Sequence, residues 1–281
     1  MKAKIIDGKG ISAEIKEKLK YEVETLKNQG KVPGLAVILV GEDPASCIYV
    51  AGKEKACNEV GIYSKIYRLP EATTEGQIIG IIDELNASKI ISGILVQLPM
   101  PKHINENKVL QAVDPEKDVD GLHAENIGRL VTKQNGFIPC TPKGIMKLIK
   151  STGVPISGKH AVVVGRSNLL GKPVAQLLLN EDATVTVCHT KTANLASYTK
   201  SADILVAATP EPEFITGDMI KPGAVVIDGG TTKVNGKLKG NIHYQSALDV
   251  AGFITPVPGG VGPMTITMLL ENTIEACKIY G

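Results

Sequence analysis

The sequence predicts an α/β protein of two lobes, each built on a parallel sheet. Three observations carry that prediction. Short, uninterrupted apolar runs at 35–40 and 90–96 have the length and character of strands buried on both faces. Amphipathic stretches separate them and give the strand–helix–strand alternation of a parallel sheet. After a junction at 139–142 the same alternation restarts with new material. A chain of 281 residues is long enough for two ordinary domains, and a hydrophobic content of 43% is ample for folded cores.

In chain order, Ile11, Ile15, Leu19, Val23 and Leu26 recur at helical spacing and predict a helix over 10–29, ended by Gly30 and Pro33. The strand at 35–40 follows. Pro44 is suited to begin a helix that runs to about 60, where Gly61 stops it. Residues 63–69 alternate as a strand does. Thr73 and Thr74 are suitable caps for a helix over 75–87, and 90–96 is the next strand. Beyond a Pro- and Asp-rich loop at 113–121 come a helix over 143–151 and strands at 160–164, 184–188, 203–208 and 224–228. The first lobe is expected over 1–139 and the second over 140–265. The last helix, 266–280, has a broad apolar face and few charges, so the C-terminal segment 266–281 is expected to pack back on the first lobe.

Composition narrows the function classes. A net charge of +2 supplies no electrostatic footprint for nucleic acid or a membrane surface, and with no Trp and three Phe a base-stacking platform is not expected. No apolar run approaches membrane-spanning length and the first residues lack a signal core. The five cysteines form no C-x-x-C pair, which favours unpaired thiols in a reducing, cytoplasmic setting. The five histidines are scattered without metal-ligand spacing, so no metal is expected, and no G-x-S-x-G nucleophile is present.

Two loops point to ligands. Pro256-Val257-Pro258-Gly259-Gly260-Val261-Gly262-Pro263 packs prolines and glycines too densely for an ordinary turn, and its composition is read as excluding helix and central strand. A rigid loop poor in side chains suits a flat ligand lying against backbone. The second loop, Gly165-Arg166-Ser167-Asn168-Leu169-Leu170-Gly171, joins the strand at 160–164 to a helix. Such a turn aims backbone N–H groups and a helix N-terminus at a pyrophosphate, although the spacing G-x-S-x-x-x-G also suits an ordinary βα turn. The next strand ends in His189-Thr190-Lys191-Thr192, without the carboxylate that would bind a ribose 2′-hydroxyl. Hydroxyls, Lys191 and the guanidinium of Arg166 favour a 2′-phosphate, hence NADP over NAD and a Rossmann-like second lobe.

In the first lobe, Tyr49 and Lys53 share a helix face at i,i+4 spacing. Lys53 is either a solvated surface lysine or a buried base with a depressed pKa. Gln97 follows the strand at 90–96 and precedes Pro99 and Pro101; it is either a loop glutamine facing water or a fixed hydrogen-bonding group at the carboxyl end of a parallel strand, where ligands bind. Lys117-Asp118-Val119-Asp120-Gly121 is either a solvated acidic turn or a loop that aims one carboxylate at paired donors.

Taken together these segments resemble the methylenetetrahydrofolate dehydrogenase/methenyltetrahydrofolate cyclohydrolase family. The likeness rests on Val40-Gly41, Pro44-Ala45-Ser46 and Tyr49-Val50-Ala51 through Lys53; Gly93-Ile94-Leu95-Val96-Gln97-Leu98-Pro99; 117–121; Pro139-Cys140-Thr141-Pro142; Gly165-Arg166-Ser167; and 254–265. The resemblance implies a folate cleft between the lobes, NADP on the second lobe and a homodimer. It also implies oxidation of 5,10-methylenetetrahydrofolate to 5,10-methenyltetrahydrofolate followed by hydrolysis to 10-formyltetrahydrofolate. By the same likeness Lys53 is the catalytic lysine, Tyr49 stacks on the folate, Gln97 tunes the lysine and Asp120 holds the pterin. Gly165, Arg166, Ser167 and Thr190 contact NADP, Thr231 meets the nicotinamide through its main chain, and Pro258, Gly259 and Gly260 flank the folate. The chain departs from the family's usual residues at Ala124, at Thr231-Thr232 and at Asn241. A two-lobed reductase of the shikimate-dehydrogenase kind, or a non-catalytic NADP-binding module, would account for the second lobe alone. The joint presence of Lys53, Gln97 and Asp120 speaks against both.

Overall fold

The computed structural model describes residues 2–280. They form two compact units. One combines the N-terminal residues through Ala13 with Thr141–Thr265; the other combines Glu14–Cys140 with the residues from Ile266 onward. The N-terminal segment, expected in the first lobe, therefore belongs to the other unit. The cause is a short strand whose two residues, Lys4 and Ile5, pair in parallel with Phe253 and Ile254.

The first part of the chain forms β1 (Lys4–Ile5), α1 (Gly8–Asn28), β2 (Gly34–Val40), α2 (Pro44–Val60), β3 (Tyr63–Leu69), α3 (Glu75–Ala87), β4 (Gly93–Val96), α4 (Glu106–Leu110) and α5 (Ala124–Val131). Next come α6 (Cys140–Ser151), β5 (His160–Val164), α7 (Gly171–Asn180), β6 (Thr184–Cys188), α8 (Leu195–Thr199) and β7 (Ile204–Ala207). The remainder is β8 (Val225–Asp228), β9 (Thr232–Val234), β10 (Lys237–Lys239), α9 (Tyr244–Ala247), β11 (Phe253–Ile254) and α10 (Val261–Tyr280).

In the unit of Glu14–Cys140, a three-stranded parallel sheet has the order β3-β2-β4. β2 is central and every one of its residues is buried, which is why Gly34–Val40 reads as continuous apolar sequence. β3 lies at an edge and alternates between exposed and half-buried positions over most of its length. Ala36, Ile38 and Val40 form a core with Ile78, Ile82 and Leu85 of α3 and with Ile94 and Val96 of β4. The Thr74 hydroxyl and the Gln77 side chain close a reciprocal capping box at the start of α3.

The unit of Thr141–Thr265 holds a six-stranded sheet in the order β1-β11-β8-β7-β5-β6, parallel throughout. The chain leaves β5 for β6 on one side and then returns to place β7 on the other. This reversal makes the carboxyl end of β5 a switch point, where such sheets open a crevice for ligands. Val162 and Val164 pack with Leu205, Ala207, Val226 and Ile254 in the core.

The elements depart from the sequence reading at several places. α10 starts at Val261 and takes Gly262 and Pro263 into its first turn, although this composition was expected to exclude helix. A first-turn proline lacks only an N–H that needs no intrahelical partner. Pro142 is accommodated in the first turn of α6 in the same way, so that helix begins at Cys140 rather than 143. β4 begins at Gly93 rather than 90 because Lys89 and Ile90 form a turn, which leaves Ile90 64% exposed. The β9–β10 hairpin has no strong apolar alternation and went unread; Asn235 and Gly236, both at positive φ, form its turn.

Candidate active site and cofactor-binding loops

α2 begins where the Asp43 carboxylate accepts the Ser46 N–H at 2.8 Å and Pro44 supplies the preset φ of a first turn. It ends at Gly61, whose φ of 84° only glycine adopts without strain. Between these stops, Val50, Lys53, Cys57 and Val60 share the buried face, so Lys53 sits where an apolar residue would ordinarily be. Its side chain is largely enclosed, with 8% of the residue exposed. Nζ donates to Gln97 Oε1 at 2.8 Å. Gln97 is held in turn: its N–H donates to Ile38 O at 2.8 Å, extending the β2–β4 register, and its Nε2 donates to Leu98 O at 2.6 Å. That orientation leaves the amide oxygen for the lysine.

Burial pushes the Lys53 pKa below the ordinary lysine value, and the negative charge of Asp120 is the strongest opposing influence. The loop that carries Asp120 is fastened to the sheet. Ile94 N–H donates to Lys117 O at 2.8 Å, and Lys117 Nζ donates to Leu85 O at 3.0 Å and Ser88 O at 2.6 Å. Val119 is fully buried against Gly93, where an added Cβ would come within 2.5 Å of the valine. The Asp118 carboxylate accepts from Gly121 N at 3.1 Å, His123 N at 2.8 Å and Asn126 Nδ2 at 2.9 Å. Burial raises its pKa to about 7 despite those donors. Desolvation also raises Asp120, against the attraction of Lys53 and a hydrogen bond with the Cys140 thiol.

Lys53, Gln97 and Asp120 are thus brought into one electrostatic cluster, with Tyr49 one helical turn before Lys53 and 38% exposed. A lysine whose pKa is lowered by burial gives up and takes back a proton more readily than a solvated one.

In the other unit, the remaining sequence-selected residues follow the carboxyl ends of β5, β6, β8 and β11, all on one edge of the parallel sheet. Gly165 has φ 131°, and a Cβ there would lie 2.2 Å from Ala208 O. Gly171 opens α7 with its own Cβ position 2.2 Å from Gly165 O, so the helix start closes directly on the turn. The Ser167 hydroxyl accepts from Leu170 N at 3.2 Å and Gly171 N at 3.4 Å, while Arg166 is exposed. After β6, His189 N–H donates to Thr192 Oγ1 at 2.9 Å and Lys191 N–H to His189 Nδ1 at 3.1 Å, which shapes the turn that exposes Thr190.

Thr231 is exposed in the loop after β8. Its approach is fixed by buried Asp228, which accepts from Gly230 N at 3.0 Å, Asn241 N at 2.8 Å and Ile242 N at 2.9 Å. The Asn241 amide accepts from Thr209 N at 3.0 Å and donates to Thr209 O at 2.8 Å and Glu211 O at 2.5 Å. Asparagine supplies both the acceptor and the donors that this position uses. In the loop after β11, Gly259 has φ 109°, its carbonyl accepts from Lys9 N at 2.9 Å, and Gly8 leaves room for Gly260 O. Pro258 remains exposed.

Sequence reasoning missed Asn272, a single amide in an apolar helix, and the Cys140 thiol. A polar residue inside an apolar helical run was the available signal for Asn272. Among the described residues, no group of three or more His, Cys, Asp or Glu could hold a metal ion, and no helix is long and apolar enough to cross a membrane.

Residues 6–120 match the tetrahydrofolate dehydrogenase/cyclohydrolase catalytic domain, and residues 139–280 match the NAD(P)-binding domain of the same family. The chain is 57% identical over 282 aligned residues to the bifunctional protein FolD of Bacillus thuringiensis (strain Al Hakam), covering 100% of this chain and 99% of that protein. The crystal structure of the bifunctional FolD methylenetetrahydrofolate dehydrogenase/cyclohydrolase from Campylobacter jejuni superposes with a TM-score of 0.97 at 46% identity, covering 98% of this chain and 99% of that one. The Trypanosoma brucei N5,N10-methylenetetrahydrofolate dehydrogenase-cyclohydrolase, solved with NADP cofactor and an inhibitor, superposes with a TM-score of 0.95 at 40% identity, covering 99% and 98%.

Proposed function

The chain belongs to the tetrahydrofolate dehydrogenase/cyclohydrolase family, and from that membership we propose an assignment of its two activities to the residues described above. It is a bifunctional enzyme of one-carbon folate metabolism. It oxidises 5,10-methylenetetrahydrofolate to the 5,10-methenyl form and hydrolyses that cation to 10-formyltetrahydrofolate.

The residues after β5 fit NADP. Gly165 lets the turn pack directly against Ala208 O, and the N-terminus of α7 that follows favours a pyrophosphate. Gly165 and Ser167 would hold the phosphates, Arg166 and Thr190 the 2′-phosphate, and the Thr231 main chain the nicotinamide. When bound, NADP accepts the hydride of the dehydrogenase step. The protein's part in that step is orientation, because the folate nitrogens themselves spread the developing positive charge.

Lys53 serves the cyclohydrolase step. Its depressed pKa makes the neutral amine accessible, and Gln97 Oε1 fixes one N–H so that the lone pair is directed. The amine takes a proton from the water that attacks the methenyl carbon and returns it to the departing ring nitrogen. Tyr49 packs on the folate, Asp120 receives the pterin N–H groups, and Pro258, Gly259 and Gly260 border the substrate.

The observation that carries this reading is the 2.8 Å bond from a buried lysine to Gln97 Oε1, with the Asp120 charge acting on the same ammonium. Lys53→Met tests it. Methenyltetrahydrofolate hydrolysis should be lost by about 100-fold or more while NADP still binds; full hydrolysis would remove Lys53 from the mechanism. A homodimer is proposed on the family resemblance, with light scattering as its test. A cytoplasmic, reducing location is proposed from the five cysteines, which form no disulfide among the described residues.

A further inference from the structure

The residues on either side of Thr231 are both tied to the loop that follows β7. Before it, Gly230 lies against the Asn241 side chain, and a Cβ on that glycine would come within 2.6 Å of Asn241 Cγ. Asp228 Oδ1 accepts from both Gly230 N, at 3.0 Å, and Asn241 N, at 2.8 Å, which joins the two backbones. Asn241 has no accessible surface. Its amide is engaged by the loop after β7: Oδ1 accepts from Thr209 N at 3.0 Å, and Nδ2 donates to Thr209 O at 2.8 Å and Glu211 O at 2.5 Å. After Thr231, the Thr232 hydroxyl donates to Pro210 O at 2.8 Å. Thr231 itself stays exposed between these two anchors.

We propose that Asn241 and Thr232 are positioning residues for hydride transfer: they clamp the loop after β8 to the loop after β7 and so hold the Thr231 main chain where the nicotinamide meets it. The inference rests on the reading of Thr231 as the nicotinamide contact. The clamp requires a neutral amide at 241. Two carbonyl oxygens and one N–H converge on that side chain, and asparagine offers two donors and an acceptor at one end. An aspartate would keep the acceptor for Thr209 N but set an ionised oxygen against the carbonyls of Thr209 and Glu211.

The clamp lies beyond the carboxyl ends of β7 and β8, whereas Gly165, Arg166 and Thr190 follow β5 and β6. Loosening it frees the nicotinamide end of the cofactor while the phosphate end keeps its contacts. A misplacement of about 1 Å costs about 100-fold in a transfer that depends on alignment. The hydrolysis assigned to Lys53 uses neither loop.

Calorimetry and steady-state kinetics of the full-length protein test this. Asn241→Asp should lower the dehydrogenase kcat about tenfold or more and weaken NADP about fivefold. Adenosine 2′,5′-bisphosphate, which carries the 2′-phosphate and no nicotinamide, should bind within about twofold of the parent. Hydrolysis of methenyltetrahydrofolate supplied directly should also stay within about twofold. Thr232→Val should show the same split with about a fivefold loss of dehydrogenase kcat, and Thr232→Ser, which keeps the hydroxyl, should match the parent. A parent-like kcat and NADP Kd in Asn241→Asp would overturn the inference. So would equal losses for NADP and the bisphosphate, or a parallel loss of hydrolysis, because each marks general damage rather than a misplaced nicotinamide. If Asn241→Asp fails to fold by circular dichroism, the Thr232→Val and Thr232→Ser pair decides alone. Thr231→Pro, which alters the contacting main chain itself, distinguishes the two levels. A lowered dehydrogenase kcat there, with parent-like Asn241→Asp and Thr232→Val, defeats only the positioning role. A parent-like Thr231→Pro defeats the nicotinamide assignment and this inference with it.

Discussion

Lys53 and Gln97 are 44 residues apart in sequence and meet at 2.8 Å, the ammonium donating to the amide oxygen. The contact joins the buried face of α2 to the residue after β4. It places a titratable group where burial lowers its pKa and a nearby carboxylate, Asp120, is the strongest opposing influence.

Gln97→Glu should move the cyclohydrolase pH profile. A carboxylate in place of the amide favours the ammonium and raises the Lys53 pKa. The active species is the neutral amine, so the rising limb of kcat should shift to higher pH, by about 1 unit or more. Asp120→Asn removes the largest influence that raises the lysine and should shift that limb the other way. Rate measurements from pH 5 to about 10 in both variants check the opposite signs, and shifts in the same direction would refute the electrostatic assignment.

Asp118 makes stability depend on pH through its raised pKa of about 7 against an ordinary 3.8. Between those values the native state binds more protons than the unfolded state, so the contribution of Asp118 falls as pH rises. The cost is absent below the lower value and complete above the upper one. The difference in unfolding free energy between the parent and Asp118→Asn should therefore change with pH in this window, the parent losing relative to the variant by up to about 1.4 kcal/mol per unit. Urea titrations at several pH values measure it. Parallel curves would show that Asp118 titrates as a normal carboxylate.

Arg166→Ala should weaken NADP by about 1–3 kcal/mol and leave NAD nearly unaffected, because only NADP carries the 2′-phosphate. Calorimetric Kd values for both nucleotides check this. Equal losses would place Arg166 elsewhere than on that phosphate.

Gly165→Ala combines a φ of 131° with a Cβ position 2.2 Å from Ala208 O. The strain and overlap should cost about 2 kcal/mol or more of stability and open the turn against α7. A lower Tm together with weaker NADP binding is the expected pair of readouts; an unchanged Tm would show that the turn yields freely.

Local signals were sufficient where one residue type has one physical meaning. The all-apolar run of β2 announced a central strand, Pro44 and Gly61 bounded α2, and Gly165 marked the turn after β5. The family resemblance pointed to Lys53, Gln97 and Asp120 before any contact was visible. Periodicity failed where context reverses a propensity. Pro263 enters a helix because its position needs no donor, and the two-residue strand β1 has no period of its own and exists through its pairing with β11.

By itself the sequence determined the alternation of strands and helices, the glycine turns and the identity of the chemical groups, because these follow from each residue's own backbone limits and polarity. Tertiary structure alone decided the charge environment. Lys53 reads as a surface lysine until α2 turns it inward, and Asn272 reads as a polar interruption until packing sets it 2.9 Å from the Val119 carbonyl. Desolvation and hydrogen-bond competition depend on which distant segments meet, and that information is not local to any stretch of chain.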